Sequence, residues 1–510
     1  MSTLQQISPD SIITGWDFST SGVKCLAFDL DGKTIADVRL PTDLWTADGV
    51  SELSIFQLEG QARASVRMMA DRLKSLGRLK DWIAGGISAT HHTAGRIDAQ
   101  DAQVRRMICW NDETLAEHHA QGLKRLGGQD KVRELIGGPW AIRYSLSHLV
   151  KDESTLSETD WKRTAKIVQH GALAAGFLTD NFGVVSQSAA ASTGIMDLRT
   201  GQWRREMLDA LADPRHRELV WGQLPRIIDA NEPIGPLSAS LTREAGISPL
   251  IFPTSDDQQA GLIGGGAVDS GQVAVILGTS AVVNGSSSQL PTTGQLDVMK
   301  LNWGPFLWMR CWMNGAGAVN QVVGSHPDWP ALEEQARRIA PGCNGTSLTP
   351  FLSPEPSLGV VDKCFKWNPE PPADMGAKFR AALEALAYLI AVGVREHEES
   401  GQTISRITVS GGLARSRLMC EILASVLNRP LELLVSDEGP ALGAAVTALA
   451  ALENFRRRSV QNADVFPIAG AVERMVRFQA PVAANANWTA AYDKGLKDFR
   501  NRIVKIRKGG

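Results

Sequence analysis

Two stretches far apart in the chain use the same device. At 12 to 29, the apolar runs IITGWDF and VKCLAFD flank a small-residue turn at Ser19 to Gly22; at 272 to 283, QVAVILGTSAVV runs from one apolar stretch through Gly-Thr-Ser into another. Strand-like runs joined by so tight a turn pair back on themselves, so each copy predicts an antiparallel hairpin. Asp31-Gly32 and TIADVRL extend the first copy into a three-stranded meander. The repetition points to a duplicated fold with two small-residue hairpins facing each other.

Helical spacing follows each hairpin. Leu58, Ala62, Val66, Met69 and Leu73 step at the period of an amphipathic helix, and a strand-like IAGGISA occupies 83 to 89. Phe379, Leu383, Leu386, Ile390 and Val394 repeat the helical pattern before ITVSGGLARS, which reads as a strand and a Gly-rich turn leading into the helix-like SRLMCEILASVLN. Strands alternating with helices predict an α/β architecture with ligands at the strand ends. The proline-dense segment Pro225 to Pro253 reads as a hand-over, giving expected domains at 1–245 and 246–452 and a peripheral extension at 453–510 whose RRR at 456 to 458 is solvated surface. With 510 residues, the chain is long enough for about two to four domains.

Charge and composition exclude several classes. Lys plus Arg total 53 against 55 for Asp plus Glu, which gives no chain-wide pull toward nucleic acid or anionic lipid. The longest apolar stretch, at 439 to 452, falls short of the ~18 residues of a membrane span and reads as a buried helix. The N-terminus lacks the basic and apolar regions of a secretory signal, so a cytoplasmic location is expected. The six cysteines form no CxxC pair and read as reduced core thiols. The Walker-A and GxGxxG patterns are absent, as are HExxH and GxSxG, and His91-His92 has no carboxylate at ligand spacing.

Any phosphate site must therefore be built from the hairpins and from SGGLARS, whose glycines let backbone N–H groups approach an anion or merely permit a turn. Asp17 ends the first strand, and Asp256-Asp257 precedes a helix-like run. Two carboxylates beside a phosphate can hold Mg²⁺ and accept a hydroxyl proton, although a strand end and a helix N-cap account for the same residues structurally. Trp110-Asn111-Asp112 could line a polar pocket or cap a helix.

Taken in order, GWDFSTSGVKCLAFD, CWND at 109 to 112, DQQAGLIGGGAVDSG at 257 to 271, LGTSAVV, GGLARS at 411 to 416 and ALGAA at 441 to 445 resemble the FGGY carbohydrate kinases, with GWDFST most similar to their xylulokinases. The resemblance implies an α/β fold of two ribonuclease-H-like domains of the actin and hexokinase superfamily, with the active site in the cleft between them. It implies Asp257 as general base, Asp17 as the Mg²⁺ residue beside the sugar, and His92 and Trp110 as sugar-side residues. ATP falls to Thr20, Lys24, Gly278, Thr279, Gly317, Gln321, Gly411, Gly412 and Ser416. Some positions depart from the family pattern: the Met-His-Gly motif reads His91-His92-Thr93, Thr114 replaces an arginine, and Pro354-Glu355-Pro356 replaces Gly-Glu-Arg. The sugar half departs more than the nucleotide half. The expected activity is phosphorylation of a small ketose, D-xylulose or D-ribulose, by Mg-ATP, with a weakly catalytic sensor or an actin-like ATPase as alternatives. Other ketoses and polyols stay open as substrates. No nucleic-acid or membrane partner is expected, and a homodimer is implied by the resemblance alone.

Overall fold

The computed structural model describes residues 6–294, 296–436, 438–461 and 464–509. Its first sheet is built around the opening hairpin. Ile12–Phe18 pairs antiparallel with Gly22–Phe28, which pairs antiparallel with Thr34–Pro41, while the other edge of Ile12–Phe18 takes Trp82–Ala89 in parallel. Leu250–Ile251 and Ser255–Asp256 add in parallel beyond Trp82–Ala89. The helix Ile55–Ser75, capped by Ser54, lays Leu58, Ala62, Val66, Met69 and Leu73 into the core beneath this sheet.

The second sheet repeats the plan. Gln272–Leu277 pairs antiparallel with Ala281–Ser287, which pairs antiparallel with Phe306–Trp312, and on its other edge Gln272–Leu277 takes Arg406–Ser410 in parallel, followed by Glu432–Leu433. Strand for strand this is the order of the first sheet, so the duplication read from two short hairpins extends through five strands. Helix Met375–Glu399 covers it with the expected stripe.

Between the sheets, two helices cross at very close range. Helix Gly439–Ser459 lies on the first sheet: a Cβ on Gly15 would stand 1.8 Å from the Ala441 carbonyl oxygen, and one on Gly86 2.0 Å from that of Ala444. Helix Asp257–Gly264 meets the same helix through Gly264 and Gly443. Only hydrogen at these positions permits the approach. The expected buried helix at 439 to 452 is thus the seam of the molecule.

One expected boundary moves, and the expected periphery packs into a core. The hand-over at 240 to 250 lies inside the first sheet, because the prolines there bound very short strands, such as the edge pair Gly235–Pro236, and do not form a linker. Residues 453–510 are not peripheral. The seam helix runs on to Ser459, Tyr492, Leu496, Phe499 and Ile503 are buried in the second core, and Leu431 and Leu434 bridge to Val482 and Phe478. Nor is the RRR stretch wholly solvated: Arg458 pairs with Asp229 at 3.0 Å and Arg457 lies over Phe466. All six cysteines are free thiols, Cys311 and Cys364 being half-buried and the rest buried. Among the described residues no helix is long and apolar enough to cross a membrane.

Candidate active site

Strand ends of the first sheet deliver the acidic groups. Asp256 closes the short strand Ser255–Asp256 and caps the helix that follows, with Oδ1 accepting the Gln259 N–H at 2.9 Å and Oδ2 accepting the Ser188 hydroxyl at 2.6 Å. Both of its oxygens are committed to structure. Asp257, the first residue of the helix, is left with Oδ1 buried and without a partner. Burial, reinforced by the charges of Asp256 and Asp17, pushes its pKa well above the ordinary carboxylate value, while the backbone N–H groups of Gln258 and His91 pull the other way.

Asp17 stands at the end of the opening strand, opposite Lys24 in the antiparallel register and Ser88 in the parallel one. The Ser88 hydroxyl donates to its Oδ1 at 3.1 Å, and burial raises its pKa to about 6 against the pull of Lys24. Lys24 itself reaches across the seam to Glu438 at 2.8 Å, which also binds Arg39.

After strand Trp82–Ala89 the chain turns through two stacked imidazoles. His91 lies 3.6 Å from His92, and His92 lies 4.3 Å from the Tyr144 ring. His92 has φ +59°, a left-handed conformation uncommon outside glycine and concentrated at functional sites. Its Nδ1 lies 2.8 Å from the Ser192 carbonyl, which can only accept, so Nδ1 carries the proton and Nε2 offers a lone pair. Burial lowers the pKa of both histidines, so both are neutral at pH 7. The Nε2 atoms of both are buried without partners. Three orphaned polar atoms therefore share this buried cluster: two imidazole nitrogens and one carboxylate oxygen. Such atoms are costly unless a ligand pairs them.

His91, Asp256 and Asp257 also bring ligand atoms within 4.8 Å of one another, a cation-like grouping that sequence spacing did not reveal. With both oxygens of Asp256 already accepting hydrogen bonds, the group suits a hydroxyl-bearing ligand better than an ion. At the rim, Arg143 forms an ion pair with Asp297, which belongs to the second sheet.

The second sheet supplies a separate pocket of about 610 Å³, lined by Gly278, Thr279, Asn320, Trp329, Glu333, Gly412 and Ser416. Its hairpin turn is tied to helix Ala316–Val323, the Gly317 N–H donating to the Thr279 carbonyl at 3.2 Å. Gly411, at φ +97°, packs against the Leu277 backbone behind the lining. Ser416 caps helix Arg417–Leu427 and donates to Glu333.

Of the residues singled out from sequence, Asp17, His92 and Asp257 belong to the acidic side, and Gly278, Thr279, Gly412 and Ser416 line the second pocket. Thr20 sits half-buried in the first hairpin turn. Gln321 is exposed on its helix and the preceding Asn320 lines the pocket instead. Trp110 lies half-buried on a turn and takes no part in the contacts above; beside it, Asp112 accepts from Thr114 and pairs with Lys151 at 3.0 Å, a structural role. Sequence reasoning missed Arg143, Asp297, Tyr144 and Ser188, whose partners are distant in the chain, and Trp329 and Glu333, which sit in no motif.

Models of the N-terminal and C-terminal domains of the FGGY family of carbohydrate kinases match residues 12–264 and 273–452. The chain belongs to that family. As an FGGY protein it is a carbohydrate kinase. It is 24% identical to a xylulose kinase of Haemophilus influenzae, over 85% of this chain and 90% of that one. To a gluconokinase of Bacillus subtilis it is also 24% identical, over 86% and 87%. Among solved structures, a xylulose kinase from Rhodospirillum rubrum superposes with a TM-score of 0.82 at 19% identity, covering 98% of this chain and 99% of that one. The two FGGY models meet between 264 and 273, where the first sheet gives way to the second.

Proposed function

We propose that this FGGY kinase transfers the γ-phosphate of Mg-ATP to a hydroxyl of a small uncharged ketose, with D-xylulose or D-ribulose as the best fit, in the cytoplasm. The observation that carries the reading is the convergence of orphaned His91 Nε2, His92 Nε2 and Asp257 Oδ1 in one buried cluster. A polyol hydroxyl can donate to the free Nε2 of His92, and the hydroxyl to be phosphorylated can give its proton to Asp257. Phosphoryl transfer demands mainly such positioning and charge neutralisation.

Charge argues for an uncharged sugar over an aldonate. The cluster carries Asp17, Asp256 and Asp257; its histidines are neutral, Arg143 is matched by Asp297 and Lys24 by Glu438. A substrate carboxylate would find repulsion and no unmatched cation among these groups. Asp17 fits a Mg²⁺ role, since burial makes its charge costly and a dication bridging to the phosphates would relieve it. When bound, Mg²⁺ supplies neutralisation of the phosphate oxygens. The pocket lined by Gly278, Thr279, Gly412 and Ser416 accommodates the nucleotide, with the Trp329 indole available to stack on a base.

The test is ADP release from Mg-ATP across ketopentoses, ketohexoses, tetruloses, polyols and gluconate, with a no-sugar control. One uncharged ketose should raise the rate by orders of magnitude, and Asp257→Asn should cut turnover ~10² to 10⁴-fold while retaining nucleotide binding. Near-normal turnover in that variant would refute the base assignment. Sugar-independent hydrolysis would favour an actin-like ATPase, and sugar binding without product a sensor.

A further inference from the structure

A cavity of about 440 Å³, sharing no residue with the acidic cluster or the pocket at Gly278 and Thr279, lies between the loop at 341 to 347, helix Met375–Glu399 and the C-terminal helix Ala486–Gly509. Its charges do not cancel. Glu384, in the wall, is neutralised by Arg380: its Oε1 accepts Arg380 Nε at 3.0 Å, the Tyr492 hydroxyl at 3.2 Å and the Gly342 N–H at 3.1 Å, while its Oε2 takes only the Cys343 thiol at 3.7 Å. Lys494 is matched by Asp498 at 2.9 Å. Arg502 and Lys505 remain. Neither has an ion-pair partner among the described residues, and the Nε of Arg502 is buried with no hydrogen-bond partner at all. Thr346 and Ser347 also line it, and the Ser347 hydroxyl donates to the Asn368 carbonyl only over a long 3.5 Å.

The Arg502 guanidinium lies over the Phe499 ring and near the Asp498 carboxylate, which Lys494 already holds, so it is partly out of water and short of acceptors, and an oxyanion is the group that the fork's geometry matches. We propose that this cavity is a binding site for a small phosphate-type dianion, either inorganic phosphate or a sugar phosphate monoester, held by Arg502, Lys505 and the hydroxyls of Thr346 and Ser347. Two unmatched cations favour a dianion over a monocarboxylate, and the cavity has room for a small phosphorylated sugar as well as for bare phosphate. The bound anion would join the C-terminal helix to helix Met375–Glu399 across the loop. None of these residues belongs to the acidic cluster or lines the pocket at Gly278 and Thr279, so the site is independent of the substrate reading.

Calorimetric titration of the full chain with inorganic phosphate, and separately with ribose 5-phosphate, tests it, each with and without excess ADP. One equivalent should bind per chain in the presence of ADP. Arg502→Gln and Lys505→Gln should each weaken binding about tenfold or more, the loss of a charge-assisted contact, with Arg502→Lys in between. Lys505 is exposed, so its substitution does not threaten folding. Equal affinity for the two probes would identify a phosphate site, and preference for ribose 5-phosphate a site that also reads the sugar. Wild-type affinity in both Gln variants, complete displacement by ADP, or no binding of either probe would overturn the assignment.

Discussion

Glu355 is 2% exposed, with Oε1 accepting the Met313 N–H at 2.8 Å and Oε2 buried without a partner. Burial raises its pKa to about 7. A carboxyl whose folded pKa lies above its unfolded one favours the protonated native state. Its contribution to stability is complete below the unfolded value near 4.5 and is lost as pH rises through about 7. The difference corresponds to about 3 kcal/mol. Urea midpoints should therefore fall between about pH 5 and pH 8 in the native chain, and fall distinctly less in Glu355→Gln; parallel declines would show that Glu355 is not the titrating group. Single residues were also where the sequence was hardest to read. Asp257 could be told from Asp256 only through resemblance; in the structure both Asp256 oxygens accept hydrogen bonds while Asp257 Oδ1 has none. Gln321, singled out from sequence, stands one helical position, about 100° of rotation, from Asn320, which lines the pocket. Nothing local announced that His91 would lie near Asp256, its Nε2 3.9 Å from the carboxylate and too far to hydrogen-bond, because the two meet through the parallel pairing of Ser255–Asp256 with Trp82–Ala89.

At the scale of elements, the seam depends on residues that lack a side chain. A methyl on Gly443 would stand 1.9 Å from the Ala260 carbonyl oxygen, a backbone atom that cannot swing aside. Gly443→Ala should force helices Asp257–Gly264 and Gly439–Ser459 apart, cost about 1 to 3 kcal/mol or more in denaturant unfolding, and lower turnover because Asp257 begins one of them. A variant of native stability and full activity would show that the seam yields at no cost. Periodicity made most elements legible: the opening meander, the helix Ile55–Ser75, the strand Trp82–Ala89 and the long helix Met375–Glu399 all follow their apolar spacing. The C-terminal helix carried the same signal in Tyr492, Leu496, Phe499 and Ile503, spaced four, three and four, yet its charged surroundings made it read as surface. Close helix crossings were not legible, since a glycine written in sequence does not say which backbone it will meet.

For the whole molecule, the sequence showed duplication through two hairpins but not the line that divides the halves. Short strands between prolines resemble a linker until their pairing with Trp82–Ala89 is seen. Among the described residues, the ion pair of Arg143 with Asp297 joins the halves near the His91 and Asp256 cluster. Asp297→Asn should leave Arg143 unmatched and shift the ratio of kcat/KM for gluconate over the preferred ketose upward about tenfold; an unchanged ratio would mean that this cation does not set the charge preference. One arrangement also bears on how the protein is made. The strands carrying Gly15 and Gly86 leave the ribosome early, whereas the helix that covers them ends at Ser459. For most of translation the first sheet therefore waits with one face open, and domain-by-domain maturation, the usual course for a nascent chain of this size, is denied to its N-terminal half.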